Sequence, residues 1–202
     1  MYTAVSAAFP KFTDQFEGCT TYLYLDVFRL VTTARGCLVD SNAEVQRLDF
    51  MVDGRYATQF EIMAAWRKVK NDKTLDPTHG GAQYASLTDI RLTQASVDVL
   101  TGQRLRSVEA NVKSFIRNWD DIPADAQLAV LSMAWALGPA GLRDKFPKFC
   151  AAVNESDWNT ASAECKMNET GQNASFKQRN ESNFLLIHSA AMSTDKTELH
   201  WP

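Results

Sequence analysis

The sequence has little of what a metalloprotein or a disulfide-stabilised protein needs. It contains four cysteines and three histidines in 202 residues, and none of them forms a Cys-x-x-Cys or His-x-x-x-His pair. Four cysteines are too few to stabilise a chain of this length as a disulfide scaffold. The missing ligand pairs argue against a metal site. We therefore expect no metal and no cofactor.

Targeting signals and a strong charge are also missing. Residues 1–16 lack a basic start followed by an apolar core, so no signal peptide is predicted, and no apolar run is long enough to span a bilayer. The formal net charge of −3 argues against broad nucleic-acid binding. We expect a soluble globular protein, a monomer with neither a nucleic-acid nor a membrane partner.

The polar residues Glu17, Asp26 and Thr32 stand out by their spacing and local context. The flanking residues predict a helix that ends at Glu17, a turn at Gly18, a strand that carries Asp26 and a second strand that carries Thr32. Pro10 is predicted in the first turn of the helix, where its missing N–H costs nothing. Tyr24 and Asp26 are two apart, so they share one face of the strand and should line the same cleft.

The two carboxyl groups are predicted to lie in different surroundings. Glu17 would sit at the negative end of a helix dipole beside Phe12 and Phe16, and both features disfavour its charged form. Asp26, with polar neighbours, would stay ionised. A protonated acid that faces an ionised carboxylate is the arrangement of a glycoside hydrolase. The alternative is that Glu17 is a solvated helix end and that the spacing is accidental.

This segment resembles the catalytic start of bacteriophage-type lysozymes, the muramidases of glycoside hydrolase family 24. Their pattern is Glu-Gly at a helix end, Tyr-x-Asp, and then Thr-x-Gly-x-Gly, which this chain matches in register with Glu17-Gly18, Tyr24-x-Asp26 and Thr32-x-Ala34-x-Gly36. The resemblance implies that Glu17 is the general acid, Asp26 the carboxylate that orients water, and Thr32 the hydroxyl that helps to hold it. It also implies the substrate contacts Tyr24, Leu38, Trp135 and Arg179.

The chain departs from the family pattern at three positions of the hairpin. Arg29 and Ala34 stand where the family usually has glycine, and Cys37 stands where it has His or Asn. Glycine in such turns often supplies a positive φ, so Arg29 should strain or reshape the hairpin. Arg29 and Arg35 would compensate by facing the cleft and holding carboxylates of the peptide stems. The alternative is that both arginines are solvated surface residues.

The last third of the chain resembles the helical lobe of the same lysozymes. Residues 125–138 are apolar nearly all round, which predicts a buried helix that Asp120 or Asp121 caps, with Pro123 in its first turn and Gly138 at its end. Trp135 on this helix is, taken alone, an ordinary core residue. In these lysozymes an arginine from a late helix pairs with the catalytic glutamate. Arg179 matches it, and the alternative is a surface helix charge.

Cys150 and Cys165 flank a predicted loop at 154–157 on two consecutive helices. By analogy with the lysozyme lobe, their side chains would meet in the core. Both a disulfide and two buried thiols are compatible with that placement, and we favour two buried thiols, because cysteine is often simply a buried residue.

The resemblance implies an α+β, mostly helical, lysozyme-like fold in a single catalytic domain over 1–202. A small N-terminal β-hairpin lobe would cover 1–50, a helical middle segment 51–119, and a larger helical C-terminal lobe 120–202, with the cleft between the lobes. The implied reaction is cleavage, with inversion, of the β-1,4 bond between N-acetylmuramic acid and N-acetylglucosamine, which lyses the bacterial cell wall.

The segment of about 45–120 is long for a phage lysozyme, and together with Ser132–Pro139 and Arg179-Asn180 it most resembles the lysozyme modules of type VI secretion effectors. The resemblance implies an antibacterial effector or endolysin domain that is made in the cytoplasm and acts in the periplasm or wall of a target bacterium. Its implied partners are peptidoglycan glycan strands and a cognate immunity protein or secretion spike. The alternatives are a catalytically weakened peptidoglycan-binding module and a helical interaction protein in which the motif is accidental.

Overall fold

The computed structural model describes residues 1–169 and 176–200, and the chain packs as two compact units. The helical unit comprises Met1–Phe16 and Arg104–Pro202, and the sheet unit comprises Glu17–Gln103. The class is α+β and mostly helical, as predicted. The segment boundaries at 50 and 119 stay predictions.

In chain order the elements are α1 (Thr3–Glu17), β1 (Thr20–Leu25), β2 (Val31–Ala34), β3 (Cys37–Leu38), α2 (Asn42–Val45), β4 (Phe50–Val52), β5 (Arg55–Tyr56), α3 (Gln59–Lys70), β6 (Arg91–Leu92), α4 (Gln94–Val112), α5 (Ala124–Leu137), α6 (Pro139–Lys145), α7 (Pro147–Asn154), α8 (Trp158–Glu164) and α9 (Phe176–Met192).

The sheet unit contains two small antiparallel sheets. One has the strand order β1-β2-β3, and the other has the order β5-β4-β6. The turn between β4 and β5 is Asp53-Gly54, and both residues have positive φ, 50° and 77°. An Asp-Gly pair of this kind is favoured in tight hairpins because two positive φ angles match the twist of the strands.

Helix α5 is the central element of the helical unit. Its residues from Ala124 to Trp135 are all buried, as the apolar sequence predicted. Gly138, with φ 73°, follows the helix and Pro139 begins α6, which confirms the predicted end. The predicted cap by Asp120 or Asp121 is wrong, because Pro123 is the N-cap residue and no side chain caps it.

The N-terminus of α5 is satisfied by a distant segment of the same unit. The Ala124 N–H donates to the Lys196 carbonyl at 2.7 Å. The buried carboxylate of Asp125 accepts the Ser189 hydroxyl at 3.0 Å and the His200 N–H at 3.2 Å. Negative charge is stabilised at a helix N-terminus. Residues 196–200 therefore take the place of a capping side chain at the N-terminus of α5.

Helix α1 begins earlier than the sequence predicted. It starts at Thr3, so Pro10 lies inside the helix and not in its first turn. A proline there removes one intrahelical hydrogen bond. The helix persists because Val5, Phe9 and Phe12 are buried along one face, and tertiary packing overrides local propensity.

All four cysteines are thiols. Cys150 on α7 and Cys165, which follows α8, are buried, in agreement with the favoured interpretation. Burial raises the pKa of each thiol to about 11. Among the helices of the described residues, none has the length and apolar character needed to cross a membrane.

Candidate functional site

Asp26 lies directly after β1 and closes the loop that leads to β2. Its Oδ1 atom accepts the backbone N–H groups of Phe28 and Leu30, each at 2.9 Å. The backbone adds two bonds, from the Asp26 N–H to the Leu30 carbonyl at 3.0 Å and from the Arg29 N–H to the Asp26 carbonyl at 2.8 Å. Oδ2 takes part in none of the hydrogen bonds among the described residues. One carboxylate oxygen thus fixes the loop.

The hairpin contains two non-glycine residues in the left-handed region. Arg29 has φ 59° and Ala34 has φ 53°. They occupy the two positions where the sequence departs from a glycine pattern. An L-residue in this conformation costs roughly 1–2 kcal/mol. The predicted strain is therefore present in the backbone. The strands still pair next to the loop, at Leu25 with Val31, and their register shifts further away, between Thr20 and Tyr24.

Tyr24, Thr32 and Leu38 form one row across the sheet β1-β2-β3. Thr32 pairs with Tyr24 on one side and with Leu38 on the other, so the structure brings these three predicted residues together. Thr32 is buried, and its hydroxyl donates to the Leu30 carbonyl at 3.2 Å. Leu38 is 52% exposed. Asp26 follows Tyr24, at one end of this row, by two residues along the chain.

Tyr24 packs against a residue that the sequence analysis did not single out. A Cβ atom built on Gly81 would lie 3.0 Å from the Tyr24 ring, which is tighter than most Cβ contacts in proteins. Gly81 begins a 3-10 turn (Gly81–Tyr84) in the sheet unit. Its missing side chain makes room for the ring and so fixes the orientation of Tyr24. The Gly80-Gly81 pair indicates a loop in the sequence, but nothing in the sequence indicates that Gly81 packs against Tyr24.

Glu17 is the last residue of α1, and Gly18 follows with φ 66°, which confirms the predicted helix end. The Glu17 side chain is exposed. The expected shielding by neighbouring aromatic rings is therefore wrong. Glu17 is the first residue of the sheet unit and lies three residues before β1.

The two hairpin arginines have different roles. Arg35 is buried, donates to the Thr101 hydroxyl at 3.2 Å and lies 3.5 Å from the carboxylate of Asp98. The expectation that Arg35 faces a cleft is therefore wrong, because this guanidinium anchors β2 to α4 within the sheet unit. Arg29 is exposed, and its guanidinium donates to the Asp72 carbonyl.

The Arg29 turn is also held from α3. The ammonium group of Lys70 donates to the Arg29 carbonyl at 3.2 Å and forms an ion pair with Asp40 at 2.7 Å. Asp40 accepts the Val31 N–H at 2.8 Å. The loop between β1 and β2 is thus tied to the end of α3 and to the start of β2, which makes the loop a rigid part of the sheet unit.

Trp135 and Arg179 both lie in the core of the helical unit. Trp135 is 2% exposed, with the Phe9 ring at 4.9 Å and the Arg104 guanidinium at 4.0 Å from its ring. This is the core environment that the alternative interpretation described. Arg179 is also 2% exposed, so it is no surface helix charge. It donates to the Ser132 carbonyl at 3.0 Å, and its guanidinium lies 4.6 Å from the Phe16 ring.

No cluster of three or more His, Cys, Asp or Glu side chains that could hold a metal ion occurs within 1–169 and 176–200. No model of a known protein family matches the chain. No curated protein matches it either.

Proposed function

We propose that this chain is a peptidoglycan hydrolase that cleaves the β-1,4 bond between N-acetylmuramic acid and N-acetylglucosamine. The observation that carries the proposal is the hairpin backbone. The phage-type lysozymes that the sequence resembles have glycine at the positions of Arg29 and Ala34, and these two residues have φ 59° and 53°. The chain keeps a glycine-type conformation where the resemblance requires one, although its own residues disfavour it.

The hydrogen bonds around Asp26 and Thr32 suit the handling of one water molecule. Oδ1 of Asp26 is engaged by the loop, which leaves Oδ2 to accept a proton from water. The Thr32 hydroxyl donates to the Leu30 carbonyl, so its oxygen would act towards a water molecule as an acceptor. A water molecule whose hydrogens are both held in this way presents a lone pair to the anomeric carbon.

In the proposed reaction, Glu17 gives its proton to the glycosidic oxygen as the bond from that oxygen to the anomeric carbon breaks. Water forms the new bond to the anomeric carbon and loses a proton to Asp26. The product is inverted at this carbon, as expected when a carboxylate activates water rather than attacking. Tyr24 and Leu38, in the row with Thr32, would contact the sugar.

The finer parts of the proposal rest on the sequence resemblance. They are a lysozyme-like arrangement of lobes and an antibacterial effector or endolysin role in the periplasm or wall of a target bacterium. A cognate immunity protein or secretion spike is the implied protein partner. The separation of an all-helical unit from a unit that holds both sheets supports the lobed arrangement.

The test is digestion of purified peptidoglycan sacculi followed by mass spectrometry of the released fragments. The parent protein should release muropeptides with reducing N-acetylmuramic acid ends. Glu17→Gln should lower the rate by roughly 10²–10⁴-fold, because it removes the proton donor and keeps the shape. Glu155→Gln changes an exposed carboxyl group in the helical unit and should not alter the rate. Parental release by Glu17→Gln would contradict the role of Glu17, and reducing N-acetylglucosamine ends would contradict the bond assignment.

A second candidate function is a catalytically weakened peptidoglycan-binding module. The strained turns at Arg29 and Ala34 favour it, because these residues stand where the family pattern has turn glycines. Binding to sacculi without release of muropeptides would support this candidate against the hydrolase.

A further inference from the structure

The tip of the loop after β1 presents apolar side chains to solvent. Phe28 is 80% exposed and Val27 is 52% exposed. Both lie between Asp26 and Arg29, inside the hydrogen-bonded turn. A single exposed apolar residue is common on a protein surface and needs no explanation. Phe28 differs because it lies next to a second exposed apolar residue, Val27, and because its backbone bonds to a carboxylate of the proposed site.

The backbone that carries Phe28 is fixed from three directions. The Phe28 N–H donates to Asp26 Oδ1 at 2.9 Å. The carbonyl of the next residue, Arg29, accepts the Lys70 ammonium group at 3.2 Å, and the Arg29 guanidinium donates to the Asp72 carbonyl. A side chain on a loop that is already ordered loses less entropy when it binds a partner than one on a mobile loop. Phe28 is thus presented as a rigid apolar platform.

We propose that Phe28 is a sugar-stacking residue. Its ring packs against the apolar face of an N-acetylhexosamine in the glycan strand, beside the glycosidic bond that is cleaved. This inference rests on the proposed hydrolase function. A pyranose ring presents C–H groups on one face and hydroxyl groups at its edge, so an aromatic ring next to polar groups suits it. The hydrogen bond from the Phe28 N–H to the Asp26 carboxylate holds the backbone of Phe28 next to the group that receives the proton of water in the proposed reaction.

The chain offers a matched control for this residue. Phe60, on the first turn of α3, is 82% exposed and belongs to the same unit. It has nearly the same exposure as Phe28, and no hydrogen bond joins its backbone to Asp26. Phe28→Ala and Phe60→Ala therefore remove the same exposed ring, one at the proposed site and one away from it. Phe28→Trp keeps an aromatic platform.

The experiment uses the full chain and purified sacculi. Phe28→Ala should raise KM about tenfold and leave kcat within about twofold, because burying one ring stabilises a complex by an amount of this order. Phe28→Trp should restore KM, and Phe60→Ala should match the parent. Sedimentation of the Glu17→Gln variant with sacculi, with and without Phe28→Ala, gives the binding change without turnover. Circular dichroism should show that each variant keeps the fold, since both rings are exposed.

Several outcomes would overturn the inference. Parental KM in Phe28→Ala, or equal loss in Phe28→Ala and Phe60→Ala, would show that the ring does not contact the glycan specifically. A loss confined to kcat would show that Phe28 acts by positioning Asp26. A dimer of the parent that Phe28→Ala dissociates would assign the ring to self-association.

If the parent cleaves sacculi and Phe28→Ala does too with unchanged KM, only this inference fails. If the parent neither binds nor cleaves sacculi, the proposed function fails with it.

Discussion

Two substitutions of Asp26 can distinguish its contribution to the stability of the hairpin from its role in the proposed reaction. Its Oδ1 atom accepts two backbone N–H groups, while Oδ2 is the atom that receives the proton of water in the proposed reaction. Asp26→Asn keeps an oxygen acceptor for both N–H groups and removes the charge. We expect its free energy of unfolding to stay within about 0.5 kcal/mol of the parent. Its rate of muropeptide release should fall by roughly 10²–10⁴-fold.

Asp26→Ala removes both hydrogen bonds as well as the charge. Each such bond contributes about 0.5–1.5 kcal/mol. A capping side chain that is replaced by alanine costs a similar amount, typically about 1 kcal/mol. Because Asp26 is only half-buried, water will satisfy part of the loss, and we expect a destabilisation of about 1–2 kcal/mol. For a chain of this size that corresponds to a fall in Tm of roughly 2–8 °C.

The assays are urea unfolding for stability and the release of reducing ends from sacculi for activity, both on the same preparations. The expected pattern is that Asn loses activity alone, whereas Ala loses activity and stability. Parental activity in Asp26→Asn would refute the assignment of Asp26 as the group that receives the proton of water. A parental unfolding midpoint in Asp26→Ala would refute the role of Oδ1 in holding the loop.

Three further predictions concern parts of the molecule outside the hairpin. Hydrogen bonds from Arg55, and then from Thr58, lower the pKa of Glu61 to about 2, so its contribution to stability is present above the unfolded pKa and is lost as pH falls towards 2; an NMR titration should show that Arg55→Gln raises this pKa, and an unchanged value would contradict it. Only Cys19 of the four cysteines is exposed, so a thiol reagent should modify about one group in the native protein, and rapid reaction of more than one would be the contrary result. Asn180→Leu removes the 2.7 Å and 2.9 Å bonds to the Met167 backbone and should lower the free energy of unfolding by about 2–3 kcal/mol in urea, a loss that a parental midpoint would exclude.

Local chemistry made much of the hairpin predictable from the sequence. Gly18 ends α1 and Thr32 lies on a strand, as the neighbouring residues indicated. The strand that was expected to carry Asp26 stops one residue earlier, at Leu25. The reason is that the Asp26 side chain bonds to the backbone of its own loop, a local alternative to strand pairing.

The errors occurred where a distant contact decides the structure. The start of α5 was expected to have a cap from Asp120 or Asp121, but the Lys196 carbonyl accepts its first N–H. No local pattern can show a partner so far along the chain. Arg35 was expected in a cleft because of its position beside the hairpin, whereas its contacts with α4 bury it. Pro10 was misplaced because buried apolar residues extend α1 past the turn that the proline marks.

The helical unit is discontinuous along the chain, and this has a consequence for the order of folding during synthesis. Residues 1–16 leave the ribosome before the sheet unit, yet the unit to which they belong is completed only by residues from 104 onwards. The whole sheet unit is synthesised in between, and domains generally fold as they emerge. Val5, Phe9 and Phe12 of α1 therefore remain solvated until α5 has been made. The segment that becomes α1 therefore carries three apolar side chains without their native partners while the sheet unit is synthesised.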